Sequence, residues 1–198
     1  MYKHILKIKG GNIMKKPYET IESKTVFNGK IIDVKVDTIS LPDGNTAKRE
    51  VILRGDATAV VPIDENGNVI LVEQYRHPVG DIVLEIPAGM LEEGEDPKVC
   101  AIRELEEETS FKAKDLIHIT TMYPTVGFCT ERLHIYLAKE LEQGNFNFDD
   151  DEFIEVKKIP LDDAINMIYT GQIIDSKTII GLLACKKFYS KYKVWVYF

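Results

Sequence analysis

Apolar and polar positions change rhythm along this chain, and each change marks an element. Over residues 23–54 they alternate: Thr25-Val26-Phe27, then Ile31-Ile32-Asp33-Val34-Lys35-Val36-Asp37, then 46–54 beyond the turn residues Pro42-Asp43-Gly44-Asn45. Period-two alternation interrupted by turn chemistry predicts a meander of about three strands. Strands placed there, ahead of the rest of the chain, can pair with a second subunit. Denser apolar runs follow at 57–64 (ATAVVPID) and 69–76 (VILVEQYR), and Glu65-Asn66-Gly67 between them predicts a hairpin of central strands. A further apolar run covers 82–87, residues 116–121 and 132–138 read as two more strands, and 123–131 is the long loop between them. Phe153-Ile154-Glu155-Val156 reads as a short strand after a solvated acidic loop, 149–152. Residues 161–170 and 177–189 read as helices, the first opened by Pro160 and Asp162-Asp163. The aromatic tail YKVWVYF, 192–198, fits an added strand, a cover for a core edge or a docking segment equally well.

Between the strands lies a stretch with helical rhythm, 89–111 (GMLEEGEDPKVCAIRELEEETSF), holding eight acidic and two basic residues. At 100° per residue, Val99, Ile102 and Leu105 fall on one side and Arg103, Glu104, Glu107 and Glu108 on the other. Glu95 is placed in the first turn, with Pro97 close behind. Such a helix buries one face and turns a wall of carboxylates the other way. On an exposed helix, like charges at i and i+4 cost only a few tenths of a kcal/mol. In a cleft with effective dielectric near 20, two charges about 6 Å apart repel by roughly 3 kcal/mol. A hard divalent cation such as Mg²⁺ (Mn²⁺ being a second choice) removes that repulsion and bridges to phosphates. A bare run of glutamates is more often a solvated face; the spacing decides otherwise here.

Gly89, Glu95, Arg103, Glu104, Leu105, Glu107, Glu108 and Phe111 fit the Nudix box, G-x5-E-x7-R-E-U-x-E-E-x-G-U, where U is bulky and apolar. The chain resembles the Nudix hydrolases. Its departure from the box is Ser110 in place of the last glycine, where a left-handed helix exit costs a serine about 1 kcal/mol. Flanking motifs, Arg49-Glu50, Gln74-Tyr75-Arg76, Leu84-Glu85-Ile86-Pro87-Ala88-Gly89 and Pro124…Gly127-Phe128…Glu131, are similar to those of the ADP-ribose pyrophosphatase branch.

The resemblance implies an α+β fold, an α/β/α sandwich around a mixed sheet, preceded by the antiparallel meander. It implies Mg²⁺-dependent hydrolysis of ADP-ribose to AMP and ribose 5-phosphate by a homodimer. Glu104 and Glu108 would hold metal with the main-chain carbonyl of Ala88, and Glu95 and Glu107 would hold or position more of it. Arg103 would orient these carboxylates by bidentate pairing. For the general base the resemblance implies Glu131 on the loop, with Glu107 in the box as the runner-up. Arg76 would face phosphate or the terminal ribose, with Arg54 and Lys48 as weaker alternatives. Glu85 and Gly127 would complete the substrate-binding set. Arg49 and Glu50 would contact the adenosine half of substrate bound to the partner subunit, with Tyr18 or Phe27 available for stacking. Two rivals follow: a pyrophosphatase for another nucleoside diphosphate sugar or dinucleotide, and a non-catalytic ADP-ribose sensor. A sensor has no use for a repulsive carboxylate wall.

Composition narrows the field further. The chain of 198 residues, 44% hydrophobic and 29% charged, has the balance of a globular protein with a substantial core. A net charge of −7 argues against a general nucleic-acid binder but not against a phosphate substrate, since local cations override the global sign. No membrane-length apolar run is present. Cys100, Cys129 and Cys185 are odd in number and widely spaced, which favours reduced thiols and a cytoplasmic setting. The four histidines lack zinc-ligand spacing. Lys9-Gly10-Gly11 can be encoded as a ribosome-binding sequence shortly before Met14, so Met14 stands beside Met1 as a candidate start. The expected organisation is a leader or flexible N-terminus at 1–13, a dimerising strand region at 14–56, and a Nudix hydrolase domain with C-terminal helices and tail at 57–198.

Overall fold

Strands β1 (Thr20–Asn28), β2 (Asp33–Ser40) and β3 (Thr46–Leu53) form the expected antiparallel meander, in the order β1-β2-β3. The turn between β2 and β3 is fixed by the Asp43 carboxylate, which accepts hydrogen bonds from the backbone N–H and the side chain of Asn45. The computed structural model describes residues 18–144 and 154–193. The expected leader at 1–13, the candidate start Met14, the acidic run 149–152, Phe153 and the tail from Val194 onward lie outside the described residues. The chain divides into two units between Leu53 and Arg54. Among the described residues of the first unit none is buried, so this sheet covers no core of its own.

The second unit begins with β4 (Ala57–Pro62), β5 (Asn68–Arg76), β6 (Asp81–Glu85) and β7 (Ala88–Met90). Helix α1 (Pro97–Thr109), β8 (Phe111–Met122), β9 (Leu133–Gln143), β10 (Ile154–Pro160), α2 (Leu161–Tyr169) and α3 (Ser176–Lys193) complete it. One sheet runs β7-β4-β9-β8, with β4 and β9 parallel and the other pairs antiparallel. The other runs β10-β5-β6 and is antiparallel throughout.

The hairpin expected from 57–64 and 69–76 does not form. Gly67 makes the turn at φ +82°, but the chain then crosses to the other sheet, and an isolated bridge, Ile63 to Val69, is what links the two runs. The reason is edge occupancy: β4 spends one edge on β7 and the other on β9, while β5 is flanked by β10 and β6.

Alternation along β4 then serves two cores. Val60 faces α1 with Leu116, Tyr136 and Ala138, and receives Ala101 and Leu105. Ala57, Ala59 and Val61 face the opposite way, with Ile135 and Leu137, toward Val69, Leu71, Ile86 and the helix residues Leu161, Ala164 and Leu182. The result is an α/β/α sandwich around a mixed sheet.

The buried stripe of α1 differs from the expected one. It is Cys100, Ala101, Leu105, Glu108 and Thr109, while Val99 is 56% exposed. Small Cys100 and Ala101 let the helix approach β4, where the Thr58 hydroxyl lies 3.4 Å from the Cys100 Sγ, and this rolls Val99 outward. Nor is Glu95 in the first turn: Asp96 is the N-cap, accepting from the Lys98 N–H, and Pro97 is the first helical residue. At the other end Ser110 does adopt the left-handed conformation, φ 59°, and its N–H closes onto the Glu106 carbonyl.

Candidate active site

Helical spacing brings Glu104, Glu107 and Glu108 to one flank of α1, and Arg103 gathers carboxylates around itself. Its Nη1 donates to Glu104 at 2.7 Å and Glu107 at 2.8 Å; Nε and Nη2 donate to the two oxygens of Glu95 at 3.2 and 3.1 Å. Because Glu95 precedes the helix, its side chain folds back across the first turn to reach this fork. The hydrogen bond from Arg103 holds the Glu95 carboxyl well below the usual glutamate range, at about 2, and the same carboxylates raise the Arg103 pKa. Three acids against one guanidinium leave this cluster net negative.

Gly89 makes room for that packing. A Cβ there would lie 2.0 Å from the Glu104 carboxyl carbon, closer than any side chain tolerates. Next to it the Ala88 N–H donates to Glu108 Oε2 at 2.9 Å, so β7 grips a carboxylate that is only 4% exposed. Cys100 sits behind, its Sγ 3.5 Å from the Met90 carbonyl, and burial pushes its thiol up to about 11. It packs as a small inert residue.

A cavity of about 180 Å³ opens here, lined by Gln74, Arg76, Ala88, Gly89, Met90, Arg103, Glu104, Glu107 and Glu108. Its other side comes from β5, which β6 supports. Glu85 pairs opposite Val72, so alternation puts Val72, Gln74, Arg76 and Glu85 on one face. Arg76 donates to Glu85 through Nε at 2.7 Å and Nη2 at 2.8 Å, a bidentate pair. Glu85 is 2% exposed and also receives Lys177 from the first turn of α3. Burial alone would raise its pKa; the bonds from Arg76 and Lys177 outweigh that and hold it below the ordinary value, and the Glu85 bond raises Arg76 in turn. The Gln74 Oε1 is enclosed and meets no hydrogen-bond donor among the described residues.

The remaining expected residues lie elsewhere. Glu131, at the end of the loop before β9, is not part of the cavity lining; its carboxylate stands 3.1 Å from Arg54 Nε. The Thr130 hydroxyl ties that end of the loop to the backbone of Arg54, and Arg132 pairs with Asp56. Gly127 is exposed on the same loop. Arg49 and Glu50 are exposed on β3, in the first unit, opposite Asp37 and Val36. Sequence reasoning passed over Lys177 and assigned no role to Gln74. Gln74 was visible as an alternate position two before Arg76, whereas nothing local to α3 marks Lys177.

Residues 53–180 match the NUDIX domain model. The chain belongs to the Nudix family. Residues 18–52 match the nucleoside diphosphate sugar hydrolase N-terminal domain, which gives the Nudix unit its preceding meander. An ADP-ribose pyrophosphatase of Bacillus subtilis (strain 168) is 41% identical over 83% of this chain and 90% of its own. A methanol dehydrogenase activator of Bacillus methanolicus is 39% identical, with the same shares covered. A crystal structure of an ADP compounds hydrolase superposes with a TM-score of 0.83 over 91% of this chain and 98% of its own; at 19% identity it attests the Nudix fold alone.

Nudix hydrolases generally use divalent metals. The donors here suit one: carboxylates and a carbonyl are hard oxygen ligands, and the lack of a side chain at Gly89 lets the Glu104 carboxylate lie against β7 beside Ala88. Among the described residues no three acidic, histidine or cysteine side chains converge on a point, because Glu104 and Glu107 turn to Arg103. A cation at Glu104 and Glu108 would compete with Arg103 for Glu104.

Proposed function

We propose that this protein hydrolyses the pyrophosphate bond of ADP-ribose, giving AMP and ribose 5-phosphate, with Mg²⁺ as its cofactor. The observation that carries the reading is the pairing of two unlike walls in one cavity, acid-rich Glu104, Glu107 and Glu108 opposite Arg76. A diphosphate needs both, cations on its oxygens and a place to hold them. The Bacillus subtilis relative supplies the choice of ADP-ribose, and the N-terminal domain match keeps the wider class of nucleoside diphosphate sugars as the rival within the family.

Glu104, Glu108 and the Ala88 carbonyl would hold the cation, with Glu95 and Glu107 beside them. When bound it supplies charge neutralisation on the phosphates and acidifies its water. Arg76 binds a phosphate oxygen, and Arg103 keeps Glu95, Glu104 and Glu107 in register. Glu107, already in the cavity lining, stands as general base beside Glu131. Glu131 reaches the diphosphate only by leaving Arg54, a loop movement of the kind that closes over substrates. Gly127, exposed on that loop, would approach the substrate with the same movement. Glu85 acts from beneath, on Arg76. The first-unit sheet, none of whose described residues is buried, supports a homodimer, since three strands without a buried apolar face are marginal alone, and Arg49 and Glu50 would then meet the partner's substrate. Among the described residues no helix is long and apolar enough to cross a membrane, which is compatible with a cytoplasmic enzyme.

The test is Mg²⁺-dependent release of AMP from ADP-ribose, beside ADP-glucose, GDP-mannose, NADH and diadenosine polyphosphates. ADP-ribose is expected to be turned over best, and Glu108→Gln to lower turnover by about 10²–10³-fold. Preference for another compound overturns the substrate; binding of ADP-ribose without turnover makes the protein a sensor.

A further inference from the structure

Helix α3 reaches Glu85, the carboxylate that holds Arg76 of the cavity lining, a link that neither the Nudix box nor the strand motifs provide. Its first turn is tied to the β6–β7 segment by a continuous set of bonds. Lys177 Nζ donates to Glu85 Oε2 and stands 3.1 Å from Asp175 Oδ2. That same Asp175 oxygen accepts the Thr178 N–H at 2.9 Å and the Thr178 hydroxyl at 2.6 Å. The Thr178 hydroxyl oxygen in turn accepts the Ile86 N–H at 2.9 Å. Glu85 is therefore held from two sides, by Arg76 along β5 and by Lys177 from a residue 92 positions away in sequence.

From this arrangement we infer that Lys177 is a positioning residue for Arg76, acting through the shared carboxylate of Glu85. Glu85 Oε1 is engaged by Arg76 Nε, and Oε2 is divided between Arg76 Nη2 and Lys177. The two cations fix the plane of the carboxylate, and that plane fixes the guanidinium fork that lines the cavity. Without Lys177 the buried carboxylate has one cation instead of two, and Arg76 turns further onto it and away from the cavity. Because Arg76 is the phosphate-facing group in the function proposed above, the inference rests on that reading for its consequence. It does not rest on it for the coupling itself.

The experiment has two arms. The first follows the side-chain Nε–H resonance of Arg76 by ¹⁵N NMR in full-length protein, assigned by its loss in Arg76→Met, with no nucleotide present. Lys177→Met, or Lys177→Gln if the first variant does not fold, is expected to shift this resonance and speed its exchange with water. Lys177→Arg is expected to restore it in part. An unchanged Arg76 resonance overturns the inference.

The second arm measures binding of the non-hydrolysable α,β-methylene analogue of ADP-ribose in Mg²⁺. Lys177→Met is expected to weaken it about tenfold, and the double variant with Arg76→Met is expected to bind no more weakly than Arg76→Met alone. A Lys177 acting only by its charge across the cavity would weaken binding equally in both backgrounds, and that result overturns the inference. If the wild-type protein ignores the analogue while the Arg76 resonance still answers to Lys177→Met, the substrate reading falls and the coupling stands.

Discussion

On α1 one cation, Arg103, serves three carboxylates, Glu95, Glu104 and Glu107; on the other side of the cavity one carboxylate, Glu85, serves two cations, Arg76 and Lys177. The first cluster is part-exposed and keeps surplus negative charge; the second is centred on a carboxylate nearly closed from water, and Asp175 brings it close to neutrality. This ratio separates their work. Surplus acid beside solvent attracts a cation at little desolvation cost. A buried carboxylate without its cations would be costly, so Glu85 is suited to holding its partners still rather than to exchanging them. The cavity thus places a cation-seeking wall against an arginine held in place by a buried carboxylate.

The strongest way to break the comparison is to spoil the acidic wall without removing an acid. Gly89→Ala drives a Cβ into the space of the Glu104 carboxyl, 2.0 Å from its carbon, so the side chain must move. Turnover is expected to fall about 100-fold from misplacement of that group. Denaturant titration should show a loss of no more than about 1 kcal/mol in stability, since the displaced group is the mobile end of a side chain. Activity near the wild-type level would mean that Glu104 works from another rotamer.

Acid should separate the walls next. The folded pKa of Glu95 is depressed to about 2 from an ordinary 4.5, so its pairing with Arg103 contributes fully above pH 4.5 and fades as pH falls toward 2. The stability difference between the wild-type protein and Glu95→Gln, followed by chemical denaturation, is expected to shrink across that window. A difference independent of pH would show that the Glu95 charge contributes nothing to the fold.

The smallest effect lies at the end of α1. Ser110 holds φ 59° while 1% exposed, and its Oγ meets no partner among the described residues. Ser110→Gly relieves a left-handed strain of about 1–2 kcal/mol and removes a buried hydroxyl, against about 0.5–1 kcal/mol of added backbone entropy in the unfolded chain. A net gain of about 1 kcal/mol, read as a higher Tm with unchanged turnover, is expected. A lower Tm would mean that the serine is answered by something other than backbone geometry.

Much of the acidic wall was legible in advance. Glu104 and Glu108 are four residues apart, and a helix puts such residues side by side whatever it packs against. Ser110 was legible for the same reason, as the residue at a helix exit. The rotation of α1 was not: Val99 fits the apolar stripe on a wheel, yet the closeness of Cys100 to Thr58 on β4 turns it outward. The crossing between β4 and β5 was hidden likewise, because turn residues at 65–67 fit a hairpin and a sheet change equally well. Which one forms depends on β7 and β9 claiming both edges of β4.

By itself, then, the sequence determined the elements whose cause is local: the alternating meander, its turn at Asp43-Gly44-Asn45, and the helix with its carboxylates. Only the tertiary structure decided which charges answer which. Arg76 with Glu85 and Lys177, and Glu131 with Arg54, join residues from separate strands, loops and helices. Helical and strand periodicities specify neighbours within one element. A charge pair between elements depends on how their faces are pressed together, and that is settled by the packing of the two cores.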